Sequence, residues 1–135
     1  MTCRFLLDTN ICIYIRRQRP EKVIARFHRL KPGEAALSVI TYGELIYGAE
    51  KSLARNRSFR DLEELSSLLH VLPLPNDAAR MYGFIRASLE AKGEMIGTND
   101  LWIAAHAKSE DLTLVTNNER EFKRVAGLKI QNWID

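Results

Sequence analysis

Short apolar runs alternate with longer stretches of helical periodicity along the whole chain. Residues 3–7, 35–39, 71–72, 112–116 and 128–131 read as strands, and Asn117-Asn118, Pro73 and Pro75 punctuate them. The segments between them are helix-length, and tight-hairpin signals are few. Strands connected through helices pair in parallel, and a parallel sheet needs helices on both faces. The expected architecture is therefore α/β, a three-layer α/β/α domain around a central, mostly parallel sheet. At 135 residues, 46% of them hydrophobic, the chain is sized for a single domain over 1–135 with a sizeable core.

The helical segments carry recognisable start and stop signals. Asp8-Thr9-Asn10 precede the apolar run 11–15, Pro20 opens a helix striped by Val23, Ile24, Phe27 and Leu30, and Lys31-Pro32-Gly33 end it. A third helix passes through Leu45, Ile46 and Ala49. A fourth spans 57–69, with Phe59, Leu62, Leu65, Leu68 and Leu69 on its buried side. Asn76-Asp77 should cap a long helix that closes at Gly93, Asp100 should open the next, and 119–124 should form a short last one.

Composition narrows the class of protein. No run of 18 apolar residues occurs, so a membrane span is not expected and the cytoplasm is the expected compartment. Cys3 and Cys12 have no paired spacing for a disulfide framework or zinc ribbon, and His28, His70 and His106 are too scattered for a two-histidine metal motif. The net charge is only +3, but residues 16–31 concentrate Arg16, Arg17, Arg19, Lys22, Arg26, Arg29 and Lys31 against the lone acid Glu21. That patch invites a polyanion such as RNA; a solvated helix face is the competing explanation.

Ligands of open parallel sheets gather beyond the carboxyl ends of the strands. In this chain those positions hold acids and amides: Asp8 after the first strand, Glu44 after the second, Asp100 at a helix start, then Asn117, Asn118, Glu119 and Glu121 after the fourth. Each has a plain structural explanation. Asp8 and Asp100 suit helix caps, and Thr41 with Glu44 has capping-box spacing. Capping does not explain why carboxylates recur after three separate elements, where they would repel unless a cation neutralised them. With no competing Cys or His set, a hard cation fits: Mg²⁺, with Mn²⁺ as a substitute. Carboxylate-held divalent ions can activate water for phosphodiester hydrolysis.

Four blocks then carry a family likeness: Phe5-Leu6-Leu7-Asp8-Thr9-Asn10, Glu44-Leu45-Ile46-Tyr47-Gly48, residues 96–107 around Asn99-Asp100-Leu101-Trp102, and residues 114–122 around Thr116-Asn117-Asn118-Glu119. In this order they resemble the PIN domain, and within it the VapC-type toxins of bacterial toxin–antitoxin pairs. The resemblance covers residue 4 to Trp133. It implies a Mg²⁺-dependent endoribonuclease that inhibits translation, is held inactive by a VapB-like antitoxin, and forms a homodimer. Asp8, Glu44 and Asp100 match the three core acids, with Asp8 and Asp100 as metal ligands and Glu44 orienting the attacking water. The fourth acid departs from the usual pattern of two Asp residues; Glu119 is the first choice, then Glu121 and Asn118. Asn10 and Thr116 would hydrogen-bond the acids. Thr98 stands where close relatives often carry Pro. In-line hydrolysis would leave a 5′-phosphate.

The opening Asp8–Ile13 and the ending Val115–Phe122 look like the subgroup that cuts initiator tRNA in its anticodon loop, and Tyr14, Tyr47 and Trp102 are candidates to stack on its bases. Arg16, Arg17, Arg19, Lys22 and Arg26 would hold the RNA backbone. The antitoxin is expected as an amphipathic segment in an apolar groove between the early helices and the helix carrying Leu45 and Ile46. The alternative is a catalytically silent PIN-like module that binds RNA without cutting it. A receiver domain fails because Asp8 has no adjacent acid, a nucleotide-binding module because no lysine-bearing phosphate loop is present, and a histidine-based ribonuclease would be separated by chelation.

Overall fold

A computed structural model describes residues 2–134. Five strands, β1 (Phe5–Leu7), β2 (Ala35–Ser38), β3 (His70–Leu72), β4 (Thr113–Val115) and β5 (Ile130–Gln131), form one sheet in the order β3-β2-β1-β4-β5. Every pairing is parallel. Four of the strands are shorter than the apolar runs that announce them, β3 is longer by His70, and the sheet is parallel throughout rather than mostly so.

Helices α1 (Thr9–Arg17), α2 (Glu21–His28), α3 (Val39–Glu50) and α4 (Arg55–Leu68) follow β1 and β2; α5 (Asp77–Lys92) and α6 (Thr98–Ser109) lie between β3 and β4; α7 (Glu119–Phe122) precedes β5. Alternating strand residues feed two cores. Phe5, Leu7, Leu37 and Val115 pack with Ile11, Ile15, Leu45, Leu62 and Trp133 on one face, while Leu6 and Leu114 pack with Ile85, Leu89, Leu101, Ile103 and Phe122 on the other. The period-two alternation of Phe5, Leu6 and Leu7 is what lets three apolar residues in a row serve both layers.

Several local expectations change. The capping-box reading of Thr41 and Glu44 fails because Ser38, at the end of β2, already caps α3 by accepting from the Ile40 N–H at 3.1 Å. Asp100 does not cap α6: that helix starts at Thr98 behind Gly97, which puts Asp100 inside its first turn. Asn76 precedes α5 without a side-chain cap bond, whereas Gly93 ends it in the left-handed conformation, φ 67°, that a glycine accommodates without strain. Leu68, in the last turn of α4, is 61% exposed, and Leu69 beyond it turns into the core instead. Both cysteines are free, and no helix among the described residues is long and apolar enough to cross a membrane.

Candidate active site

The sheet order places β1 beside β2 on one side and β4 on the other, and the chain departs in different directions from β1 and β4. A crevice opens at such a reversal, beyond the strand ends. Asp8 and Thr116 end β1 and β4 there, and the Thr116 hydroxyl donates to Asp8 Oδ2 at 2.8 Å across it. The Thr9 N–H donates to Asp8 Oδ1 at 2.8 Å, so Asp8 caps α1 as well as facing the crevice. Thr9 serves a second acid, its hydroxyl donating to Glu44 Oε1 at 2.9 Å and tying α1 to α3. Thr116 Oγ1 in turn accepts from the Asn118 N–H at 2.9 Å. One side of the crevice is thus a chain of well-oriented donors ending on Asp8 and Glu44.

The other side pairs two acids. The Asp100 and Glu121 carboxyls face each other beside Gly97. Burial first, then the facing Glu121, then Asp8 and Glu44 push Asp100 up to about 7. Glu121 is held below the usual carboxylate range against the upward push of burial, because the Gly97 N–H donates to Oε1 at 2.9 Å, Asp100 bonds to it, and the Asn118 amide donates to Oε2 at 2.6 Å. Asp8 is raised as well, chiefly by burial, with Thr116 and Thr9 pulling the other way and Glu44 and Glu121 adding repulsion.

The expected residues are not all brought together. Asp8, Glu44 and Asp100 converge. Glu119 turns away to accept from the Asn132 amide at 3.2 Å, and Glu121 occupies the place beside Asp100. Two residues along a helix face nearly opposite directions, and the Gly97 N–H and the Asn118 amide hold Glu121, not Glu119, beside Asp100. Thr116 and Asn118 bond the acids; Asn10 instead donates to Asn117 Oδ1 at 3.3 Å. Arg26 is half-buried, donating to Gln131 at 3.0 Å and lying over the Trp133 ring. Arg17, Arg19 and Lys22 are exposed and Arg16 is half-buried. Arg16 and Arg17 are at the far end of α1 from Asp8, about 12 Å along its axis. Thr9, which no sequence argument singled out, joins Asp8 to Glu44.

Three further features bear on partners. Of the aromatic candidates, Tyr14 is packed in the core and accepts from Asn117, and Trp102 stacks on Tyr82 at 3.9 Å, whereas Tyr47 is 64% exposed. His106 is buried, bonded through Nδ1 to Ser38, and held below its ordinary value by desolvation, a structural role. An apolar groove of about 540 Å³, lined by Ile15, Ile24, Phe27, Leu30 and Leu68, lies among α1, α2 and the end of α4.

A model of the PIN domain matches residues 5–128. The chain is 44% identical over 131 residues to Ribonuclease VapC2 of Haemophilus influenzae, covering 97% of this chain and 98% of that protein. The chain belongs to the PIN-domain family, in its VapC branch. A second VapC relative, the tRNA(fMet)-specific endonuclease VapC of Salmonella typhimurium, is 46% identical over 130 residues, with 96% and 98% of the two chains covered. The crystal structure of DNA-bound VapBC from Salmonella typhimurium superposes on 98% of this chain and 99% of its own, with a TM-score of 0.92 and 45% identity.

As for a metal, the donors at the crevice are all oxygens, and the acids raise one another's affinity for protons, which is the electrostatic condition a cation relieves. Among the described residues no group of three or more His, Cys, Asp or Glu side chains is placed to hold a metal ion as it stands. The oxygen-only donor set is of the kind a hard cation takes, and Mg²⁺, which keeps several waters, would need only one or two of these carboxylates.

Proposed function

We propose that this PIN-domain chain is a Mg²⁺-dependent endoribonuclease, the toxin of a VapBC-type pair, and that it cuts an exposed single-stranded loop such as the anticodon loop of initiator tRNA, thereby inhibiting translation. The observation that carries this reading is the convergence of Asp8, Glu44, Asp100 and Glu121 from four separate elements at one crevice. Asp8 and Asp100 would hold the ion. When bound, Mg²⁺ would acidify the attacking water and stabilise the leaving oxygen of the phosphodiester.

The chain's own groups do the remaining work. Thr116 and Thr9 fix both oxygens of Asp8. Thr9 also engages Glu44 Oε1, which leaves Oε2 to accept a proton from water aimed at the phosphorus. Attack breaks the bond to the 3′ oxygen, yielding a 3′-hydroxyl and a 5′-phosphate. Glu121 faces Asp100 and would position its carboxylate for the ion.

A VapB-like antitoxin completes the proposal, since the relatives' solved structures include VapBC complexes. The apolar groove between α2 and α4, whose lining includes Lys31, suits an amphipathic segment that brings an acidic residue to that edge. The homodimer belongs to the same proposal, to be read by sedimentation. Incubation of the purified chain with initiator and elongator tRNAs tests the central reading. We expect loop cleavage of the initiator species in Mg²⁺, 5′-phosphorylated products, and none in EDTA. RNA binding without cleavage would favour the silent module, and cleavage that survives EDTA but not His106→Ala would refute the carboxylate account.

A further inference from the structure

A second groove, about 620 Å³, runs from the acid crevice along α3 and is lined by Thr9, Val39, Gly43, Glu44, Tyr47, Gly48, Lys51 and Asn99 among others. Thr9 and Glu44 belong to both, so anything in this groove lies next to the reacting phosphodiester. A Cβ built on Gly43 or Gly48 meets no heavy atom within 4 Å, so the α3 wall faces open space rather than a packed neighbour. The Tyr47 ring stands 64% exposed, with the Lys51 ammonium 4.7 Å from its centroid. Asn99, one residue before Asp100, brings an exposed amide to the groove from α6.

An exposed aromatic face, a cation and an amide beside a carboxylate crevice make a poor site for an anionic peptide or a fatty chain. They suit a flat heteroaromatic ring joined to a phosphate. We propose that this groove receives one unstacked nucleobase of single-stranded RNA adjacent to the cut, with Tyr47 stacking on the base, Lys51 meeting the neighbouring phosphate and Asn99 contacting the base edge. Resting on the endoribonuclease reading, it assigns to α3 the choice of where the strand is cut. Of the aromatic residues considered for stacking, Tyr47 is the one whose ring is not committed to the core or to another ring, and stacking on such a ring tolerates any base while amide contacts discriminate among them.

The test uses the shortest stem-loop oligoribonucleotide that the wild-type chain cuts, and copies carrying a single abasic site at each position flanking the cut. Tyr47→Ala should lower kcat/KM about 10- to 100-fold on the intact oligonucleotide, and Tyr47→Phe should restore it. At one abasic position the wild type should fall to the Tyr47→Ala level, with no further loss in the variant. Gly48→Leu, which fills the groove without a clash at Cβ, should raise KM more than it lowers kcat. An equal Tyr47→Ala loss on every abasic substrate overturns the proposal. So does a sedimentation shift to monomer in Tyr47→Ala that accounts for the loss, since a second copy of the chain would then be the occupant. Binding is read separately in Asp8→Asn by 2-aminopurine placed at the critical position. Fluorescence that Tyr47→Ala leaves unchanged overturns the base site while the nuclease reading stands, whereas cutting of the oligonucleotide that persists undiminished in EDTA and in Asp8→Asn overturns the metal-dependent nuclease reading instead.

Discussion

The two walls of the crevice are built on opposite principles. On the β1/β4 wall each Asp8 oxygen receives a hydrogen bond, and the Thr9 hydroxyl extends the chain of donors to Glu44. On the α6/α7 wall Asp100 faces another carboxyl and keeps a proton to near neutrality. The first wall is organised by the protein alone. The second is left electrostatically incomplete, and an added positive charge completes it. A site of this kind stores part of its cation affinity as repulsion in the metal-free protein.

Neutralising either wall should end cleavage while affecting stability differently. Asp8→Asn and Asp100→Asn should each reduce cleavage by on the order of 100- to 1,000-fold. Folded Asp100 holds its proton to about 7, above the ordinary 3.8, so the folded state binds more protons than the unfolded chain between those values. Stability in EDTA therefore falls as pH rises from 4 towards 7 and stays reduced above it. Asp100→Asn removes that penalty. Allowing for solvent screening of a half-buried group, it should gain about 1 kcal/mol at pH 8, roughly 3–4 °C in Tm, and nothing at pH 4. Asp8→Asn sets an amide N–H against one of its two donors and should show no gain in the same melting series.

The next effect belongs to the organised wall. Thr116→Val strands Asp8 Oδ2 and the Asn118 N–H together, which should cost about 1–3 kcal/mol in denaturant titrations and about 10- to 100-fold in cleavage. Thr116→Ser should recover both. The smallest effect separates the acids of α7. Glu121→Gln should raise the Mg²⁺ concentration for half-maximal cleavage about tenfold, while Glu119→Gln should stay within about twofold of wild type. The reverse ranking would return Glu119 to the site.

That last comparison marks where the sequence stops being informative. The strand–helix alternation, the parallel sheet and the candidacy of Asp8, Glu44 and Asp100 were legible, because short apolar runs and the four motif blocks mark them locally. The facing of α7 was not legible. Glu119 and Glu121 are both polar and two residues apart, and only contacts with distant partners, Gly97 for Glu121 and Asn132 for Glu119, separate them. Thr41 and Glu44 mimicked a capping box because the spacing is the same whether or not an earlier residue has taken the cap, and Ser38 had. Arg26 looked like its basic neighbours because its attachment to Gln131 and Trp133 spans more than a hundred residues. The role of Thr9 arises from two helices meeting, which no local pattern encodes.

The account stands on a cation drawing the two walls together, and anomalous diffraction from crystals of this chain grown in Mn²⁺ at pH 7.5 tests it most directly. We expect one strong anomalous peak between Asp8 and Asp100, with Glu44 and Glu121 reaching it directly or through water, and its loss in Asp100→Asn. Asp100 and Glu121 still hydrogen-bonded to each other in saturating Mn²⁺, with no anomalous peak at the crevice, would contradict it.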